Sequence, residues 1–146
     1  MSSSQFVTFR IRESLFGLPI LKVREINRLL DITPIHHAPV YVRGLMNLRG
    51  QTVTIFDLGI RLGIGPREIT HETHNIILKE DVVGLIVDCI GDVEEVDDTA
   101  LEAPPSNLQG IRKEFIEGVA KLKDELLVIL SSREILSFTS LRLQTE

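Results

Sequence analysis

The sequence predicts a mainly β protein, a barrel or sandwich with brief helices. Short runs of Val, Ile, Leu and Phe recur between turn signals. Polar tripeptides, Lys79-Glu80-Asp81 and Lys123-Asp124-Glu125, each separate two apolar runs in the manner of a hairpin. Long helices alternating with strands are missing, which argues against a doubly wound parallel sheet.

The elements follow in order. Residues 6–12 alternate, with Val7, Phe9 and Ile11 on one face and Thr8, Arg10 and Arg12 on the other. Glu13-Ser14 marks a turn into a strand over 15–18 that Pro19 ends, because proline has no N–H for the ladder. Leu21, Val23 and Ile26 stand among Lys22, Arg24 and Glu25, a pattern that fits a helical turn leading into a strand. Residues 31–40, with Pro34, His36, His37 and Pro39, read as loop. Residues 41–49 are mixed and end at the turn glycine Gly50. Residues 51–56 form a strand, with Val53 and Ile55 facing away from Thr52, Thr54 and Phe56. Asp57 caps a short helix through Leu62 that Gly63-Ile64-Gly65-Pro66 stops. Residues 75–78 and 82–87 form a hairpin, and 88–96 a continuing strand with an acidic edge. Residues 97–110 read as a long surface loop, 115–122 and 126–130 as the second hairpin. Ser131-Ser132 caps a terminal helix over 133–138, with Glu134 in its first turn.

The 146 residues suit one compact unit or two small subdomains sharing a core. Without tryptophan and with one tyrosine, that core is aliphatic with six Phe. The net charge of -5 argues against nucleic acid and against simple attraction to an anionic membrane. A single cysteine, Cys89, excludes an intrachain disulfide. Residues 1–5 lack the regions of a signal peptide, and no apolar run reaches the ~18 residues of a spanning helix. A soluble, cytoplasmic chain with no membrane insertion of its own is expected.

Candidate chemistry is sparse. His71 and His74 would share a helical face and suit zinc, but they precede a strand and show no third ligand nearby. A metal-dependent hydrolase built on them is the weakest reading, and solvated loop residues the stronger one. His36 and His37 point apart in extended chain. Cys89 lies among Val87, Ile90 and Val93 as a small buried hydrophobe, and Asp88 disfavours its thiolate. The glycines between 59 and 65 lack the lysine of a phosphate loop. Asp92, Glu94, Glu95, Asp97 and Asp98 suit a protected edge strand. No catalytic residue, metal site or cofactor is expected. Arg49, between Leu48 and Gly50, either forks to a partner's carboxylate or carbonyl groups or forms an internal salt bridge with Asp57 or Glu25.

Residues 39–58, with Arg43-Gly44, Asn47-Leu48-Arg49-Gly50 and Asp57-Leu58, resemble the central signature of CheW-like domains. Gly17-Leu18-Pro19-Ile20 followed by Val23-Arg24-Glu25-Ile26 resembles the first hairpin of that family. Residues 83–93 resemble its Gly-Leu-x-Val-Asp segment, and Ile116-Glu117-Gly118 and Leu127-Val128-Ile129-Leu130 also agree. The match spans about residues 5 to 138. Thr54 stands where many members have proline, Phe56 where they have a smaller aliphatic, and His36-His37 where small or polar residues are usual.

The resemblance implies a single domain over 1–146 made of two interleaved five-stranded SH3-like β-barrels on a common apolar core, with tails at 1–5 and 139–146. It implies a non-catalytic chemotaxis adaptor, recruited to membrane-associated receptor arrays. Its partners would be the cytoplasmic helical hairpin of a methyl-accepting chemoreceptor and the regulatory domain of a CheA-type histidine kinase. A scaffold of a non-flagellar chemosensory pathway, such as twitching motility, is the alternative. By the same analogy Val23, Gly44, Asn47, Arg49, Val87 and Val93 face the receptor in a groove between the barrels. Exposed aliphatics of both barrels would serve the kinase, with no residue singled out.

Overall fold

The computed structural model describes residues 2–28, 31–105, 108 and 110–137. Eleven strands and two short α-helices are formed among them: β1 (Ser3–Ile11), β2 (Ser14–Pro19), β3 (Val23–Arg28), β4 (Val42–Leu48), β5 (Gln51–Asp57), α1 (Leu58–Leu62), β6 (His74–Leu78), β7 (Val83–Val87), β8 (Cys89–Asp97), β9 (Leu101–Glu102), β10 (Ile116–Lys121), β11 (Leu126–Leu130) and α2 (Ser132–Ile135). They make two sheets, ordered β8-β1-β2-β11-β10-β9 and β3-β6-β7-β5-β4. The middle of the chain builds the second sheet, and the two flanks together build the first.

Alternation explains why two sheets share one core. Val53 and Ile55 of β5, Ile77 of β6 and Ile86 of β7 point into the five-stranded unit, where they meet Met46 and Leu48. Phe56, Ile76, Leu85 and Val87 point the other way. They join Phe9, Phe16, Leu18, Val128 and Leu130 of the first sheet, with Leu58 and Leu62 of α1, in the central core. Phe6, Leu15, Leu127 and Ile129 fill the six-stranded unit. Strands buried on both faces read as unbroken apolar runs, as 126–130 does.

The caps follow the sequence. The Asp57 side chain accepts the Ile60 N–H at 3.1 Å, and Gly63 closes α1 at φ 87°. Ser131 caps α2 through the Glu134 N–H. A 3₁₀ turn over Ile20–Lys22 leads into β3.

Several boundaries differ from expectation. The first turn is Arg12-Glu13, with Arg12 at φ 56°, because Ile11 pairs with Ser14. Residues 42–48, mixed in pattern, form β4, whose one edge bonds β5 and whose other is bridged by Thr33. The strand expected to continue through 88 breaks there. Asp88 is the crossover, and β8 leaves the second sheet to pair with β1. The expected loop over 97–110 contains the short β9, so this sheet has six strands where five were implied. Ser3, Ser4 and Gln5 of the expected N-terminal tail pair with β8, where Ser4 also hydrogen-bonds Asp98. The α-helix expected over 133–138 spans Ser132–Ile135; Phe138 and the expected tail at 139–146 lie outside the described residues. Cys89 is half-buried and outside the core clusters, because the crossover turns it from the apolar layer.

Candidate functional site

Arg49 and Gly50 form the two-residue turn between β4 and β5, with φ values of 49° and 86°. Positive φ at both positions is the type I′ geometry that suits the twist of a hairpin. Asn47 braces it, its Oδ1 accepting the Gly50 N–H at 2.9 Å. The turn holds the Arg49 side chain outward, where it donates from Nη2 to Glu25 Oε1 on β3. Arg24 Nη1 also donates to Gln51 Oε1 at 2.8 Å. Strands β3 and β4 are the two ends of the five-stranded sheet. These contacts therefore draw one edge of the sheet to the hairpin at the other, as barrel closure requires. Of the two internal partners open to Arg49, the structure selects Glu25. Asp57 instead faces Arg43 at 3.5 Å and Arg67 at 3.7 Å.

The Arg49 hydrogen bond is the main cause holding the Glu25 carboxyl below the ordinary glutamate range, partly opposed by desolvation. The pair is open to solvent, with the Arg49 side chain 66% exposed. A partner can reach the guanidinium without unfolding anything.

The other candidates fall in different settings. Val23 and Val87 are buried in the central core; Val87 has no exposed surface. Neither side chain is available for direct contact. Gly44 sits at a bulge with φ 149°, and a Cβ there would overlap the Thr33 carbonyl oxygen. Its close neighbour is its own chain, the segment that bridges to Leu45. Val93 is 52% exposed on β8, opposite Val7 in the other sheet. The structure thus brings Asn47 and Arg49 together at the hairpin, leaves the Val23 side chain in the core, and puts Val93 on the other unit.

Sequence reasoning passed over two exposed aliphatics, Leu21 at 77% and Val40 at 72%. Their signal was available: each adjoins a turn-forming or proline-bearing stretch where an apolar side chain has nothing to pack beneath. His71 is solvated, and His74 opens β6, where its Nδ1 lies 2.7 Å from the Glu72 carbonyl oxygen. Among the described residues no three His, Cys, Asp or Glu side chains gather as metal ligands. None of the described helices is long and apolar enough to cross a membrane.

Residues 5–139 match the CheW-like domain. The chain is 34% identical to the chemotaxis protein CheW of Treponema pallidum, covering 94% of this chain and 85% of that one. Identity to the chemotaxis protein CheW of Rhizobium meliloti is also 34%, over 86% and 83% of the two chains. The crystal structure of the scaffolding protein TtCheW from Thermoanaerobacter tengcongensis superposes with a TM-score of 0.85 at 32% identity, covering 94% of this chain and 90% of that one. The two curled sheets correspond to the paired SH3-like subdomains of that fold. With this coverage in sequence and structure alike, the chain belongs to the CheW-like domain family.

Proposed function

We propose that the protein is a non-catalytic chemotaxis adaptor that couples the cytoplasmic tip of a chemoreceptor to the regulatory domain of a CheA-type histidine kinase. The observation that carries this reading is family membership over nearly the whole chain, with the family signature folded into the exposed Arg49–Glu25 hairpin latch. Such a latch offers a guanidinium and a carboxylate at a rigid β edge, which suits recognition of charged groups on a helical hairpin. Arg49, Asn47 and Val93 supply contacts, while Val23, Gly44 and Val87 hold the supporting backbone. Recruitment to membrane-bound receptors follows from the partners. Two modest interfaces on one small rigid body gain strength from multivalency in an array.

Co-sedimentation with receptor fragments and a CheA regulatory domain tests this. The unsubstituted chain should bring both down together. Arg49→Ala should remain folded by circular dichroism and lose at least tenfold in receptor coupling. An unfolded Arg49→Ala would make the residue structural, and an unsubstituted chain that binds neither partner would end the proposal. Gly44→Asp is a poor probe of binding, because it strikes the Thr33 backbone first.

A further inference from the structure

Among the described residues two arginines are buried, Arg61 and Arg67, and they are accommodated in different ways. Arg67 donates to Asp88 Oδ2 at 2.7 Å and lies near Asp57. Arg61, on α1 and 5% exposed, has no carboxylate within ion-pair distance among the described residues. Its guanidinium lies over two aromatic rings, 4.6 Å from the Tyr41 ring centroid and 4.8 Å from that of Phe115. Nε donates to the Ile135 carbonyl at 2.9 Å and Nη2 to the Glu134 carbonyl at 3.1 Å. Burying a cation in this way is costly unless every face finds a partner. Here the guanidinium meets two π clouds, and its rim meets two carbonyl oxygens of α2, of which that of Glu134 also accepts the Ser137 N–H at 3.1 Å.

The partners come from both halves. Tyr41 adjoins β4 and its carbonyl accepts the Asp57 N–H, so it belongs with the five-stranded sheet, as does α1. Phe115 precedes β10, its carbonyl accepts the Ser131 N–H, and α2 follows β11, so these belong with the six-stranded sheet. Aliphatic contacts in the shared core are non-directional. A planar guanidinium over two rings, donating to two carbonyl oxygens, is directional and draws on both sheets.

We propose that Arg61 is a positioning residue that fixes the angle between the two barrels, and that coupling of receptor to kinase depends on that angle. This rests on the adaptor reading above only in its second half.

The test uses the full chain carrying Cys89→Ser, with spin labels on Lys79→Cys in the β6–β7 turn and Glu117→Cys on β10, both exposed sites. Arg61→Met should shift the inter-label distance or at least double the width of its distribution. Kinase stimulation in reconstituted receptor assemblies should fall at least tenfold, while binding to each partner alone stays within threefold. Arg112→Met, an exposed arginine 5.8 Å from the Phe115 ring, should change neither. If Arg61→Met does not fold, Tyr41→Leu and Phe115→Leu each remove one ring and should broaden the same distribution. An unchanged distance distribution overturns the proposal, and so does an altered one with full kinase stimulation. Failure of the adaptor reading itself would appear separately, as an unsubstituted chain that assembles with neither partner.

Discussion

Arg49 sits at a backbone conformation that costs an ordinary L-residue about 1 kcal/mol and that asparagine adopts readily. The turn itself would favour asparagine at this position, so the guanidinium is retained against local preference. Arg49→Asn should therefore fold well and still lose receptor coupling. Its pH dependence carries a definite sign. Glu25 has a depressed folded pKa, so its contribution is present above the unfolded value and is lost as pH falls through the folded one. In acid, where the latch is off, the asparagine variant should be the more stable by about 1 kcal/mol from backbone relief. That lead should shrink toward neutral pH as the latch switches on in the parent. Urea denaturation across the acid range reads this directly, and a lead independent of pH would mean the ion pair contributes nothing. The residue types of the latch were legible in the sequence, with Glu25 as one of two eligible partners. The choice between them depended on which strands end the sheet, which no local pattern encodes.

At the scale of elements, β6 holds a local contradiction. Asn75 lies wholly buried, its Oδ1 unpartnered and its Nδ2 only 4.0 Å from the Met46 sulfur. Its amide fills the space above Gly84 on β7, where a Cβ would collide with it. An unpaired buried carbonyl costs about 1–3 kcal/mol, so Asn75→Leu, of similar shape, should stabilise the protein by about 1 kcal/mol in urea melts. Destabilisation would show that the amide is satisfied in solution by water. The hairpins, the Asp57 and Ser131 caps and the run over 126–130 were legible because each is written in neighbouring residues. Strand β4 was not, because Gly44 leaves an inward position without a side chain, Leu45 puts an apolar residue on the outward face, and one edge is bridged from Thr33. The departure of β8 at Asp88 was equally hidden. A strand's composition reports its burial but not which neighbour it bonds.

For the molecule as a whole, the central core draws side chains from both sheets. Leu85→Ala, at a fully buried position there, should cost about 2–5 kcal/mol. The loss should appear in both units together, as one urea transition followed by circular dichroism and by the fluorescence of Tyr41, the single tyrosine. Two separated transitions would mean that the barrels fold independently. The sequence made a shared apolar interior legible, since five-residue runs without polar breaks need cover on both faces. The family resemblance implied interleaved barrels, but the pairing of the chain's two flanks in one sheet is written in no local pattern.

That pairing sets an order of assembly. Strand β1 bonds β8, so during synthesis β1 has no ladder on that side until the whole intervening segment has been made. The middle unit closes on itself with shorter loops and loses less chain entropy in doing so. The nascent chain should acquire protected amides in β5 to β7 first. The β1–β2 hairpin then waits, both edges open, for β8 and β11 to arrive on either side.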